Sequence, residues 1–139
     1  MDSNVRILVA DDDAEDRLIL IDSFTEVGFT GVLDCVENGI EAISYLRDAA
    51  AANALPSIIV LDLNMPRLNG TETLRQIKSH SDFNVIPVVI FSTSVNEIEK
   101  EECLRLGATS YMTKPSTQDE SLDTARYFCE FAEKVAAKN

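Results

Sequence analysis

Short apolar runs alternate with longer amphipathic stretches along the whole chain. Val5–Ala10, Gly31–Val36, Ser57–Leu63, Val85–Phe91 and Thr109–Thr113 read as strands. The central runs, Ile58-Ile59-Val60-Leu61 and Val88-Val89-Ile90-Phe91, are unbroken and rich in β-branched residues. That is the pattern of strands buried on both faces of a parallel sheet. Between the strands the apolar period lengthens to that of a helix. Ala14, Leu18, Ile21, Phe24 and Val27 predict one inward stripe that stops at Gly28. Ile40, Ile43, Tyr45 and Leu46 mark a second helix, which ends within Ala49–Ala54 ahead of a loop to Pro56. Thr71 to His80 forms a third, with Leu74 and Ile77 inward. Ser94 is the expected N-cap of a fourth helix that ends at Gly107. The last runs from about Asp119 to Ala137, with Leu122, Ala125, Cys129, Ala132 and Ala136 on its core stripe. Five strand–helix pairs in strict alternation predict a doubly wound α/β fold around a five-stranded parallel sheet with five helices.

Length and charge narrow this picture. The 139 residues suit one domain, with neither an internal repeat nor a linker leading to a second one. Asp and Glu number 24 against 12 Lys and Arg, a net charge of −12. That balance excludes sequence-independent nucleic-acid binding, which needs clustered Lys and Arg, and disfavours an anionic membrane surface. Cys35, Cys103 and Cys129 are too few and too scattered for a disulfide framework or a paired-cysteine zinc site, and read as reduced thiols. The first residues lack the basic start of a signal peptide, and no apolar stretch approaches the ~20 residues of a membrane span. The cytoplasm is the expected location.

Several of the acids fall at strand ends. Asp11, Asp12 and Asp13 follow the first strand, and Asp62 stands near the end of the third. Ser92-Thr93-Ser94 follow the fourth strand, and Lys114-Pro115 the fifth. In open α/β sheets ligands bind outside the carboxyl ends of the strands, so one rim gathers these groups. Crowded carboxylates repel one another, and a hard divalent cation such as Mg²⁺ relieves that repulsion. With one ammonium and one hydroxyl added, the set suits a phosphoryl group, with a carboxylate as nucleophile.

Four segments carry a resemblance. Ile7-Leu8-Val9-Ala10-Asp11-Asp12-Asp13 is the first, and Val60-Leu61-Asp62-Leu63-Asn64-Met65-Pro66 with Asn69-Gly70 the second. The others are Val88-Val89-Ile90-Phe91-Ser92-Thr93-Ser94 and Tyr111-Met112-Thr113-Lys114-Pro115. In this order, each at the end of a predicted strand, they resemble the signature segments of two-component response-regulator receiver domains. The likeness covers about residues 5–137 and is nearest to the small stand-alone receivers paired with phytochrome-type histidine kinases.

The resemblance implies a flavodoxin-like sheet of order 2-1-3-4-5 and a single receiver domain over 1–139 without an output domain. It implies that Asp62 accepts a phosphoryl group from a phosphohistidine of a histidine kinase or histidine phosphotransfer protein. Asp12 would bind Mg²⁺ directly, Asp11 through a coordinated water, and Asn64 through its main-chain carbonyl, with Asp62 also in the metal shell. Lys114 would pair with a phosphoryl oxygen, and the Lys114–Pro115 bond would be cis. Ser92 and Tyr111 would be the switch pair. A downstream protein target would read the face of the fourth helix, fifth strand and fifth helix, with the chain as effector or phosphorelay intermediate. The positions that tune autodephosphorylation hold Asn64 and Ser94, both small and neutral, so neither supplies an obvious base.

Other features read more plainly. Asp13 is favoured as a helix cap over a metal ligand, and Asp11 and Asp12 also complement a helix N-terminus. His80 is the lone histidine and reads as exposed and silent. Glu97, Glu99, Glu101 and Glu102 form a solvated face that also suits partner selection. Tyr127, Phe128 and Phe131 exceed what one core stripe needs, and a homodimer contact is the reading for the excess. Three other classes fit the sequence less well. An Asp-nucleophile phosphohydrolase of the haloacid-dehalogenase class needs an Asp where Asn64 stands. A phosphorylation-independent module predicts an altered acidic pocket. A flavodoxin-like carrier needs a hydroxyl- and Gly-rich loop where the three Asp stand.

Overall fold

The computed structural model describes residues 5–93 and 95–138. Five strands, β1 (Arg6–Ala10), β2 (Val32–Val36), β3 (Ile58–Leu61), β4 (Val88–Ser92) and β5 (Ser110–Thr113), alternate with five helices. The helices are α1 (Ala14–Glu26), α2 (Gly39–Ala51), α3 (Gly70–Ser79), α4 (Glu97–Leu106) and α5 (Gln118–Lys138). All strand pairs are parallel, in the order β2-β1-β3-β4-β5. This is the flavodoxin-like order expected from the sequence.

The period-two alternation of side chains explains why the central strands read as unbroken apolar runs. Leu8 and Ala10 of β1, Ile59 and Leu61 of β3, and Val88 and Ile90 of β4 face one core, which holds Leu46 of α2 and Leu74 and Ile77 of α3. Their neighbours Ile7, Val9, Ile58, Val60, Val89 and Phe91 face a second core, closed by Leu20 and Phe24 of α1 and Ala125 and Phe128 of α5. Each fully buried Val, Leu, Ile or Phe among them contributes roughly 1.5–3 kcal/mol. A polar substitution on either face would therefore break one layer. The register also sets the functional rim. Ala10 lies opposite Leu61, Leu61 opposite Ile90, and Ser92 opposite Thr113. The next residues, Asp11, Asp62 and Lys114, accordingly leave the sheet at the same end.

Four helices begin on a short polar side chain that accepts from the first-turn N–H groups: Asp13, Asn38, Asn69 and Asn96. The capping role expected for Asp13 is thus observed. The cap of α4 is Asn96, which accepts from the N–H groups of Ile98 and Glu99; Ser94, expected there, lies outside the described residues. Asn, like Ser, is a strong cap, and two candidates two residues apart leave the start of a helix open on sequence alone.

Three expectations need correction. The inward stripe of α1 is Leu20, Ser23 and Phe24, whereas Leu18 and Ile21 are 58% and 40% exposed. Strand β3 ends at Leu61 instead of Leu63, because Asp62 and Leu63 turn into the loop before α3. The Lys114–Pro115 bond is trans, the lower-energy isomer even before proline. On α5, Phe128 is fully buried and belongs to the core, while Tyr127 is 42% exposed.

Candidate functional site

The site forms where the acid loop after β1, the loop after β3 and the end of β5 meet. Asp11 takes its place because its N–H extends the sheet, donating to the Val36 carbonyl at 3.0 Å. Its Oδ1 accepts the N–H of Asp13 at 2.9 Å. Asp13 then turns the chain into α1 by accepting from Glu15 and Asp16. Arg17, one turn into that helix, reaches back and donates to the Asp11 carbonyl at 2.7 Å, and its other nitrogen lies 3.8 Å from Glu37. The acid loop is therefore gripped from both sides.

Asp62 is anchored from β3, its N–H donating to the Ala10 carbonyl at 2.9 Å. Its Oδ1 accepts the N–H of Asn64 at 3.2 Å. Gly70 is required beneath this loop, because a Cβ there would strike the Asp62 carbonyl and the Leu63 backbone. Carboxylate oxygens of Asp11, Asp12 and Asp62 lie within 4.8 Å of one another, Asp11 and Asp62 buried and Asp12 exposed. Three converging hard oxygen donors, one open to solvent, fit a divalent cation that keeps several waters, as Mg²⁺ does.

Lys114 is held over this group. Its N–H donates to the Ser92 carbonyl at 2.6 Å. Its Nζ lies 2.7 Å from Asp11 Oδ2, 2.8 Å from Asp16 Oδ2 and 3.3 Å from Asp62 Oδ2. Burial alone would push the ammonium pKa down. The hydrogen bonds to Asp11 and Asp16 and the charges of Asp11 and Asp62 outweigh that, so Lys114 stays protonated and titrates above its usual range. Asp62 moves the other way for a carboxylate. Burial raises its pKa, helped by the Asp11 charge, although the Asn64 N–H and the Lys114 charge pull it down. Three carboxylates around one ammonium, with Asp12 beside Asp11 and Asp62, leave an excess of negative charge that a cation would relieve.

The expected residues thus converge: Asp11, Asp12 and Asp62 lie together, and Lys114 pairs with Asp11 and Asp62. Ser92 is buried at the end of β4 beside them, and Asn64 is exposed two residues past Asp62. Tyr111 is half-buried on β5 and packs against the α2–α3 core. Ser94 lies outside the described residues. Asp16 was missed by sequence reasoning. It stands in the first turn of α1, three residues past the cap, and looks like any acid at a helix N-terminus.

The family model for the response regulator receiver domain matches residues 7–126. The chain belongs to that family. Receiver domains are signalling domains of two-component systems, bind Mg²⁺ at an acidic Asp cluster, and interact with histidine kinases and downstream targets. The structure of the phosphorylated cyanobacterial phytochrome response regulator RcpA superposes with a TM-score of 0.83 at 30% identity, over 91% of this chain and 92% of that one. The Mn²⁺-bound form of response regulator Rcp1 gives 0.78 at 27% identity, over 89% and 91%. Chemotaxis protein CheY1 of Helicobacter pylori is 32% identical over 113 residues, 81% of this receiver and 87% of that protein. No helix among the described residues is long and apolar enough to cross a membrane.

Proposed function

We propose that this chain is a single-domain response regulator that accepts a phosphoryl group on Asp62 and passes the signal to a protein partner. The observation that carries the reading is the convergence of Asp11, Asp12 and Asp62 under the ammonium of Lys114 at the carboxyl rim of a receiver sheet. A carboxylate oxygen of Asp62 attacks the phosphorus of a phosphohistidine. The P–N bond breaks and its electron pair stays on the imidazole. Asp12 and Asp62, with the Asn64 carbonyl and Asp11 through water, would hold Mg²⁺, which would supply charge neutralisation. Lys114 binds a phosphoryl oxygen, and the Ser92 hydroxyl donates to another. Because Ser92 O is bonded to Lys114 N, a pull on Ser92 reaches β5 directly, and Tyr111 on that strand is the second half of the switch. The readout is the α4–β5–α5 face; on α4, Ile98 is 80% exposed among Glu97, Glu99 and Glu101.

The phosphoryl donor is a histidine kinase or histidine phosphotransfer protein, and the chain serves as effector or relay intermediate. The exposed Tyr127 on α5 supports a homodimer contact. The three cysteines are free, which supports a reducing compartment such as the cytoplasm. Incubation with acetyl phosphate and Mg²⁺, followed by intact-mass measurement, tests the reading. The mass of one phosphoryl group should appear with Mg²⁺, vanish with EDTA, and be absent in Asp62→Asn. Equal labelling of Asp62→Asn would overturn the assignment.

A further inference from the structure

The Lys114 ammonium has three N–H bonds, and three carboxylates surround it. The contacts to Asp11 and Asp16, at 2.7 and 2.8 Å, have the length of charge-assisted hydrogen bonds, whereas Asp62 is at 3.3 Å. Lys114 is therefore seated between Asp11 and Asp16 and only loosely on the phosphoacceptor. The two closer partners differ in what their release costs. The Asp11 side chain is 4% exposed, and setting it free would strand a buried charge. Asp16 is 33% exposed, so water can take over its carboxylate. Asp16 also faces a small cavity of ≈ 30 Å³ between α1 and the start of α5, lined by Ile19, Leu20, Phe91, Lys114, Pro115 and Ser121. That is room for a water beside the pair.

We infer that Asp16 is a positioning residue that competes for Lys114: it holds the ammonium off Asp62 in the unphosphorylated protein and yields it when a phosphoryl oxygen arrives. Asp16 sets how readily Lys114 engages the phosphoryl group, and so tunes how strongly the phosphorylated state is held. It touches neither the phosphoryl group nor the metal, and acts through Lys114. The inference rests on the proposed role of Asp62.

Beryllofluoride with Mg²⁺, a mimic of the phosphoryl group, is the probe, and its dissociation constant is the readout. Asp16→Asn frees Lys114 and should tighten binding about two- to fivefold, the range a partly exposed ion pair supports. Asp13→Asn removes an equal charge three residues away, at the cap of α1. It keeps a side chain able to cap α1, and Asp13 is not among the carboxylates paired with Lys114, so it should shift binding by less than about 1.5-fold. An unchanged or weaker affinity in Asp16→Asn, or an equal gain in Asp13→Asn, overturns the competition. Asp62→Asn separates the two levels. Loss of binding there leaves the phosphoacceptor reading standing whatever Asp16 does, and undiminished binding overturns that reading and this inference together.

Discussion

Asp62→Asn should stabilise the metal-free protein, even though it removes the residue on which the proposed function turns. The nearest opposing charge to Asp62 is Lys114, at 3.3 Å. At an effective dielectric of about 20 that attraction amounts to about 5 kcal/mol. Against it stands Asp11, within 4.8 Å, a repulsion of about 3.5 kcal/mol on the same scale. Asp12 lies within the same distance but is exposed, so water reduces its share to about 1 kcal/mol. Attraction and repulsion nearly cancel, and the burial of the Asp62 charge decides the sign. The amide oxygen of Asn can still accept the Asn64 N–H, and Lys114 keeps Asp11 and Asp16. The expected gain is on the order of 1 kcal/mol, or about 4 °C in melting temperature for a chain of this size. Thermal unfolding by circular dichroism in EDTA measures it. The pH dependence follows from the same cause. Asp62 titrates above the usual carboxylate range in the folded protein, so between the ordinary value and the raised one the native state binds more protons than the unfolded chain. Its contribution to stability is present below that window and is lost as the pH rises through the raised pKa. The advantage of Asp62→Asn should grow across that interval and shrink on adding Mg²⁺. A lower melting temperature for Asp62→Asn in EDTA at neutral pH would refute the reasoning.

Lys114→Met removes the ammonium paired with Asp11 and Asp62, whose side chains are 4% and 7% exposed. Urea unfolding in EDTA should show a loss of about 3–5 kcal/mol, much of it recovered in Mg²⁺. Arg17→Ala deletes the charged hydrogen bond to the Asp11 carbonyl. It should cost about 1.5–3 kcal/mol and weaken Mg²⁺ binding measured by calorimetry. Gly70→Ala forces a Cβ against the Asp62–Leu63 backbone. It should destabilise by about 3 kcal/mol and lower the rate of phosphorylation by acetyl phosphate, because the loop that carries Asp62 must shift.

The sheet and its rim were legible in the sequence because two independent signals agreed there. Unbroken runs such as Ile58–Leu61 and Val88–Phe91 mark strands covered on both faces, and the polar residues just beyond them fall at the carboxyl ends once the strands are parallel. The face of α1 was not legible. Leu18-Ile19-Leu20-Ile21 is apolar in every helical phase, so period alone cannot choose the stripe. Packing against α5 chose Leu20 and Phe24. The start of α4 had the same ambiguity, with Ser94 and Asn96 both able to cap.

Asp16 shows the other kind of gap. Its partner Lys114 lies 98 residues away in sequence, and a lone acid in a first helical turn has an adequate local explanation. The clue was available in combination: Asp13 as the cap fixes where α1 starts, and one turn later the chain has returned to the side of the site. The ammonium that serves three carboxylates is a property of the folded rim. No single segment contains it.

The most direct test of the account locates the phosphoryl group itself. The protein is phosphorylated with acetyl phosphate and Mg²⁺, then reduced with borohydride, which converts an aspartyl phosphate to homoserine, and the chain is sequenced by mass spectrometry. The account predicts homoserine at position 62 and unaltered aspartate at positions 11, 12 and 16. Homoserine at any of those three positions, with Asp62 intact, would contradict it.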